Sequence, residues 1–213
     1  MEPKQVLEII PTLKKTYPNA KYYLNFSNSV ELLVAAILSA QCRDEVVNAC
    51  TKELFKKYKI AKDFANVDIK ELLKDIKTIN FAENKAKNIK EACKILVEKY
   101  NGDVPKTIEE LVKLPGIGRK TANTILINAY GIVNGIPVDT HVIRLSYRLG
   151  WTKSKNPEII EKDLEKIIPE KEWGNISYVL KAHGKAICQA PTPYCSKCLM
   201  NKLCPKNGVS KSF

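Results

Sequence analysis

An all-α fold is predicted by three features of the sequence. Apolar residues recur at three- and four-residue spacing along most of the chain, residues that cap helices stand before these runs, and no stretch alternates like a strand between turn signals. Ser29 is placed to cap a helix with Val30, Leu33, Ala36, Ile37 and Ala40 on one face, and a second amphipathic run follows through Val46, Val47, Cys50, Leu54 and Phe55. Asp68 opens a helix carrying Leu72, Leu73 and Ile76. The stretch from Glu83 to Tyr100 aligns Ala86, Ile89, Cys93, Leu96, Val97 and Tyr100 until Asn101-Gly102 stops it. Thr107-Ile108-Glu109-Glu110 reads as a capping box before a short helix ending at Leu114. After the turn Pro115-Gly116-Ile117-Gly118 a helix runs to about Tyr130. Asp139 can cap the next, with Val142, Ile143, Leu145 and Leu149; Asn156-Pro157 starts another; a last helix spans about Trp173 to Ile187.

Composition narrows the class. The longest apolar stretch, Val30 to Ala40, contains Glu31 and is too short to cross a bilayer, and Met1-Glu2-Pro3-Lys4 has no signal-peptide character, so an intracellular protein of the cytoplasm or nucleoid is expected, with no membrane partner. The formal charge of +12, from 35 Lys and Arg against 23 Asp and Glu, suits a polyanion such as nucleic acid, and equally a Lys-rich or heat-adapted proteome. Of 7 cysteines, Cys42, Cys50 and Cys93 fall in helical patterns and read as small core residues, whereas Cys188, Cys195, Cys198 and Cys204 crowd together near the C-terminus and call for metal.

The segment Leu114-Pro115-Gly116-Ile117-Gly118-Arg119-Lys120-Thr121-Ala122 joins two short helices through a Gly-x-Gly turn. Two close glycines permit positive φ and let backbone approach a ligand, while the amides of Gly116 and Gly118, at the start of the next helix, can hold a phosphate. Alone, such a turn is more often a plain helical corner. The whole run resembles the helix–hairpin–helix motif of endonuclease III-type DNA glycosylases. Gly135-Ile136-Pro137-Val138-Asp139-Thr140-His141-Val142 resembles that superfamily's aspartate segment, and Leu38-Ser39-Ala40-Gln41 its Leu-Ser-Ala-Gln string. The likeness runs from about residue 29 to Cys204.

The resemblance implies two helical domains flanking a DNA-binding cleft. A six-helix barrel with the hairpin would cover 22–132, and a discontinuous iron–sulfur domain 1–21 and 133–213. It also implies a monomer acting on double-stranded DNA with damaged bases or abasic sites, removing oxidised pyrimidines and nicking the strand by β-elimination. Base loss leaves positive charge on the sugar, which a carboxylate stabilises, and strand cleavage needs an amine that forms a Schiff base. These roles match Asp139 and Lys120. A helix N-terminus, the neighbouring Arg119 and partial burial would each favour the neutral amine of Lys120, whereas Asp139 would oppose them yet could accept the amine's proton.

A base inside the duplex must be flipped out and its place filled. Gln41 matches the family's inserting residue, its amide able to pair with the orphaned base, and Phe81 matches the apolar wedge, where leucine is more usual. Taken alone, Gln41 is a polar helix end and Phe81 a loop residue tucked into the core. His141 is placed at the DNA by the same likeness, and a monovalent cation can complete the hairpin.

The four clustered cysteines follow C-x6-C-x2-C-x5-C. Zinc is a rival ligand, although structural zinc sites usually use two C-x-x-C pairs and here there is one. The spacing is that of the family's [4Fe–4S] loop, so the resemblance implies a structural cluster. The loop Gln189-Ala190-Pro191-Thr192-Pro193-Tyr194 departs from the family by lacking basic residues, leaving Lys197 and Lys202 to compensate. Two rivals remain at this stage: a monofunctional mismatch glycosylase, which often lacks lysine at position 120, and a non-catalytic DNA-binding module with a metal cluster.

Overall fold

The computed structural model describes residues 3–213, so of the 1–21 segment Met1 and Glu2 lie outside the described residues. Eleven α-helices are found among the described residues, and no strand: α1 Pro3–Thr16, α2 Ser29–Ser39, α3 Asp44–Lys57, α4 Ala61–Asn66, α5 Ile69–Asp75, α6 Ala82–Tyr100, α7 Ile108–Leu111, α8 Arg119–Ile125, α9 Thr140–Arg148, α10 Pro157–Ile167 and α11 Glu170–Ala186. A π-helical turn, Leu126–Tyr130, extends α8, and a 3₁₀ turn covers Cys195–Lys197. No described helix is long and apolar enough to cross a membrane. Residues up to Tyr22 together with Val133–Phe213 form one compact unit, and Tyr23–Ile132 form another.

In the Tyr23–Ile132 unit, α2 is buried on every side, each residue from Val30 to Leu38 included, as a helix at the centre of a bundle must be. Helices α3, α6 and α8 pack directly on it. Even Glu31 is buried, because its carboxylate is used locally: Oε2 accepts from Ser27 N–H at 2.6 Å, while Asn28 Oδ1 accepts from Glu31 N–H at 2.9 Å. The cap of α2 is therefore Asn28, one residue before the expected Ser29. Asp68 caps α5 as expected, accepting from Lys70 N–H. Thr107 caps α7 through Glu110 N–H, but its own hydroxyl donates to Glu110 Oε2 at 2.8 Å, so this carboxylate takes a side-chain hydroxyl in place of the reciprocal amide of a capping box. Cys93 is fully buried in α6, its thiol pushed up to about 12 by desolvation. Cys42 is not a core residue inside a helix: it lies in the bend after α2 and is only half-buried, as is Cys50.

In the other unit, α11 packs on α9 and α1, and α10 packs on α9. Val6, Ile9, Ile10 and Leu13 of α1 share a core with Val142, Leu145, Leu164, Val179 and Leu180. Helix α1 contains Pro11, which withholds an amide from the helix ladder. The buried face carries the helix through it, helped by Lys14 Nζ on Glu172 Oε2 at 2.8 Å. Asn156 caps α10 with Pro157 in its first turn, and α11 begins at Glu170, earlier than its apolar pattern suggests.

Leu13 is fully buried while Leu7, on the same helix, is 55% exposed. Urea unfolding should therefore give a loss of about 2–5 kcal/mol for Leu13→Ala and a change within about 0.5 kcal/mol for Leu7→Ala.

Candidate functional site

The hairpin between α7 and α8 is built from one strained glycine and one ordinary one. Gly116 has φ +82°, and a Cβ there would stand 3.1 Å from Asn88 Nδ2, so the turn requires glycine both for its backbone and for its approach to α6. Gly118 does not share this constraint: it is the extended N-cap of α8, φ −93° and ψ 172°, and a Cβ there would meet nothing within 4 Å. Positive φ is thus used once, not twice. Ile117 between them is buried and anchors the turn, leaving Gly116, Gly118, Arg119 and Lys120 exposed. Arg119 and Lys120 open α8, with the Lys120 carbonyl accepting from Thr124 Oγ1 at 2.9 Å. The expected partial burial of Lys120 is not found: the residue is exposed in the first turn of α8.

Gln41 and Phe81 sit on two loops of the same unit that are hydrogen-bonded to each other, Asn80 Nδ2 donating to Gln41 O at 2.8 Å. Both residues are left-handed, with φ 52° and 58°, and neither is glycine. Phe81 is 63% exposed, which excludes the core reading, and Gln41 is exposed as well. Strain of this kind on bulky residues persists only where the surroundings impose it, and it collects at functional sites.

In the other unit, Asp139 is the N-cap of α9. Its Oδ1 accepts both the His141 amide at 2.8 Å and the Val142 amide at 2.9 Å. One carboxylate oxygen does the capping, and Oδ2 takes neither bond. His141 lies in the first turn of α9 against Gly184, where a Cβ would come within 2.6 Å of its Nδ1. Arg144 Nη2 donates at 3.1 Å both to that Nδ1 and to Gly184 O, which fixes the ring. Burial lowers the His141 pKa, assisted by Arg144, Lys181 and Lys185 and opposed by Asp139.

Cys188, Cys195, Cys198 and Cys204 line a single cavity, closed by Leu145, Met200 and His183. Among the described residues no three His, Cys, Asp or Glu side chains form a group fit for one metal ion; the thiols ring the cavity. Burial pushes the Cys198 and Cys204 thiols up, and neighbouring cysteines raise them further, so thiolates there require compensating positive charge. Arg148, itself buried, supplies some: Nη1 is 3.3 Å from Cys188 Sγ and 2.7 Å from Gln189 O, and Nη2 donates to Pro191 O at 3.0 Å. His183, held near pKa 4 by desolvation, lies between Tyr17 OH at 2.9 Å from Nδ1 and Cys198 Sγ at 3.6 Å from Nε2. Lys197 packs over the Tyr194 ring at 5.5 Å. Sequence reasoning missed Lys85, Arg144, Arg148, His183 and Gly184. Only the Arg144/Arg148 pair, one helical turn apart and ahead of the cysteines, offered a signal.

Comparison with known proteins bears on both units. Residues 34–170 match the family model described as HhH-GPD superfamily base excision DNA repair protein. The chain is 48% identical over 207 residues to endonuclease III of Synechocystis sp., covering 97% of this chain and 94% of that one. To endonuclease III of Bacillus subtilis it is 44% identical over 94% of this chain and 92% of the other. Among solved structures, a trapped endonuclease III–DNA covalent intermediate superposes with a TM-score of 0.92 at 42% identity, over 97% of each chain.

The two hairpin glycines should separate on substitution. Without DNA, Gly116→Ala should cost about 1–2 kcal/mol, from its left-handed backbone and its contact with Asn88; Gly118→Ala should stay within about 0.5 kcal/mol of the parent protein. Urea midpoints of the two variants decide it.

Proposed function

Since this chain belongs to the endonuclease III family, within the HhH-GPD superfamily of base excision DNA repair proteins, we propose that its reaction is carried by Lys120 and Asp139. The chain is a bifunctional DNA glycosylase and abasic-site lyase, and its partner is double-stranded DNA containing damaged bases. Oxidised pyrimidines are the lesions proposed, and the cytoplasm and nucleoid its place of action.

Lys120 is the nucleophile in this reading. Its amine, once deprotonated, attacks the sugar's anomeric carbon as the glycosidic bond breaks, and the base departs with the bonding electrons. Asp139 stabilises the positive charge that develops on the sugar and takes up the proton the amine gives away. With that proton gone, the nitrogen lone pair expels the ring oxygen, which takes up a proton as the C1′–O4′ bond breaks, and the protonated Schiff base that results makes the adjacent C–H acidic. Removal of that proton expels the 3′ phosphate by β-elimination and nicks the strand. The observation that carries Asp139 is its hydrogen bonding: Oδ1 alone holds the α9 amides, so the cap and a role at the sugar are compatible. That a relative was captured as a covalent complex with DNA supports a covalent intermediate here.

Gly116, Gly118 and Arg119 hold a backbone phosphate, with a monovalent cation completing the hairpin site, and His141 contributes to the DNA contact from α9. Gln41 and Phe81 enter the duplex where the base has left. Cys188, Cys195, Cys198 and Cys204 are proposed to hold a structural [4Fe–4S] cluster. Thiols that ring a cavity, with a buried guanidinium at one sulfur, suit a multi-atom anionic group better than one zinc ion. The cluster supplies cohesion to its loop; base removal and β-elimination consume no electrons.

Lys120→Ala should bind lesion-containing duplex normally yet lose base excision and the covalent adduct formed under borohydride; a variant that still traps at the parent rate would refute the nucleophile. Anaerobically purified protein should be brown and contain iron and inorganic sulfide. Stoichiometric zinc without sulfide would overturn the cluster.

A further inference from the structure

Lysine is seldom fully buried, because its ammonium gives up strong hydration. Lys85 on α6 is 5% exposed. Its Nζ donates to two carbonyls at the end of α2, Leu38 O at 2.7 Å and Ala40 O at 2.6 Å. The neighbouring carbonyls are taken too: Ser39 O by the Cys42 amide at 3.1 Å and Gln41 O by Asn80 Nδ2 at 2.8 Å. Four consecutive carbonyls thus have partners, and three of those bonds come from Asn80 and Lys85. A helix C-terminus attracts a cation, but a solvated lysine would serve that purpose with less desolvation. The buried one is explained by what it holds. The backbone amide of Lys85 donates to Phe81 O at 3.1 Å, so a single residue fastens the Phe81 turn by its main chain and the Gln41 turn by its side chain. Each of these turns carries a left-handed, exposed, non-glycine residue. Asn88, three residues further along α6, lies beneath Gly116 of the hairpin. Residues 81, 85 and 88 share one face of a helix.

We infer that Lys85 is a positioning residue for base extrusion, holding the Gln41 and Phe81 turns at fixed separation so that both side chains enter the duplex together. The inference rests on the reading of Gln41 and Phe81 as the residues that fill the vacated space. Two wedges that must occupy one gap tolerate little relative displacement, and errors of about 1 Å in such placement cost up to about a hundredfold in rate.

Lys90, on the same helix, is an internal control: its Nζ clamps the Ala65 and Val67 carbonyls, the same chemistry at a turn without left-handed residues. The experiment compares Lys85→Met with Lys90→Met in single-turnover excision from a paired lesion and in nicking of a preformed abasic site, which has no base to unstack. Fluorescence of 2-aminopurine beside the lesion follows extrusion itself. For Lys85→Met, excision and the fluorescence step should slow together by about tenfold or more, with nicking much less affected, while Lys90→Met keeps the parent ratio of excision to nicking. Equal losses in both reactions, or an unchanged fluorescence step, would overturn the inference. If Lys85→Met does not fold, Asn80→Ala decides, since this exposed side chain should shift the same ratio in the same direction and an unchanged ratio counts against the proposal. Gln41→Ala and Phe81→Ala run in parallel: if neither changes the ratio, the wedge reading itself fails, whereas if they do and Lys85→Met does not, only the role of Lys85 is lost.

Discussion

A chain folded into short helices has many helix ends, and each end leaves up to four amides or four carbonyls with no partner inside the helix. Most of the residues proposed to carry this protein's chemistry sit where those groups are satisfied. Asp139 closes the start of α9, Gly118 opens α8, Phe81 opens α6, and Gln41 follows the end of α2. Such positions combine exposed backbone polarity with a rigid helix behind them. A nucleic acid presents the complementary surface, phosphate oxygens that accept from amides and grooves that admit a projecting side chain.

The same constraint governs the cysteine region, where it is met by guanidinium groups. The chain between Cys188 and Pro191 has no helix or strand to use its carbonyls, and Arg144 and Arg148 take them: Arg144 Nε on Cys188 O, Arg148 on the carbonyls of Gln189 and Pro191. The fork geometry of arginine lets one side chain hold several acceptors at fixed spacing, which lysine does not do. Because Arg148 also reaches Cys188 Sγ, the group that orders the loop is the group that eases negative charge on a sulfur. Order in the loop and positive charge at the Cys188 sulfur are thereby supplied by one residue.

How much of this was legible in the sequence depends on whether the deciding interaction is local. Caps made by a side chain two or three residues from its target, at Asp68, Asp139 and Asn156, could be read directly, as could the all-helical class. Asn28 and Ser29 are both competent caps, and the choice fell to Asn28 because Glu31 turns back onto Ser27. Helix α1 contains a proline, and its existence depends on a buried face supplied by distant helices. Gly118 looked like a second positive-φ glycine because spacing carries no φ. Lys85 was invisible for a stronger reason: one lysine among 35 basic residues looks solvated unless the end of α2, more than forty positions away, is known to lie against it. The cysteines were legible as a set, but the cavity that they line was not.

Asp139 illustrates how a structural duty and the chemical one proposed for it fit on a single side chain. An N-cap contributes on the order of 1 kcal/mol to a protein, and a carboxylate fully committed to capping would present little negative charge to a substrate. Here the amides of His141 and Val142 converge on Oδ1, and that convergence sets the direction of the whole carboxylate without using Oδ2. The residue is thus oriented before any ligand arrives, so no ordering cost falls on the reaction itself. In the same first turn of α9, His141 is held by Arg144 and packs closely against Gly184. Replacing Asp139 by asparagine preserves the amide contacts and removes the charge, whereas alanine removes both. The two substitutions therefore divide the stability of α9 from the proposed stabilisation of a cationic sugar, because the first depends on an acceptor oxygen and the second on its charge.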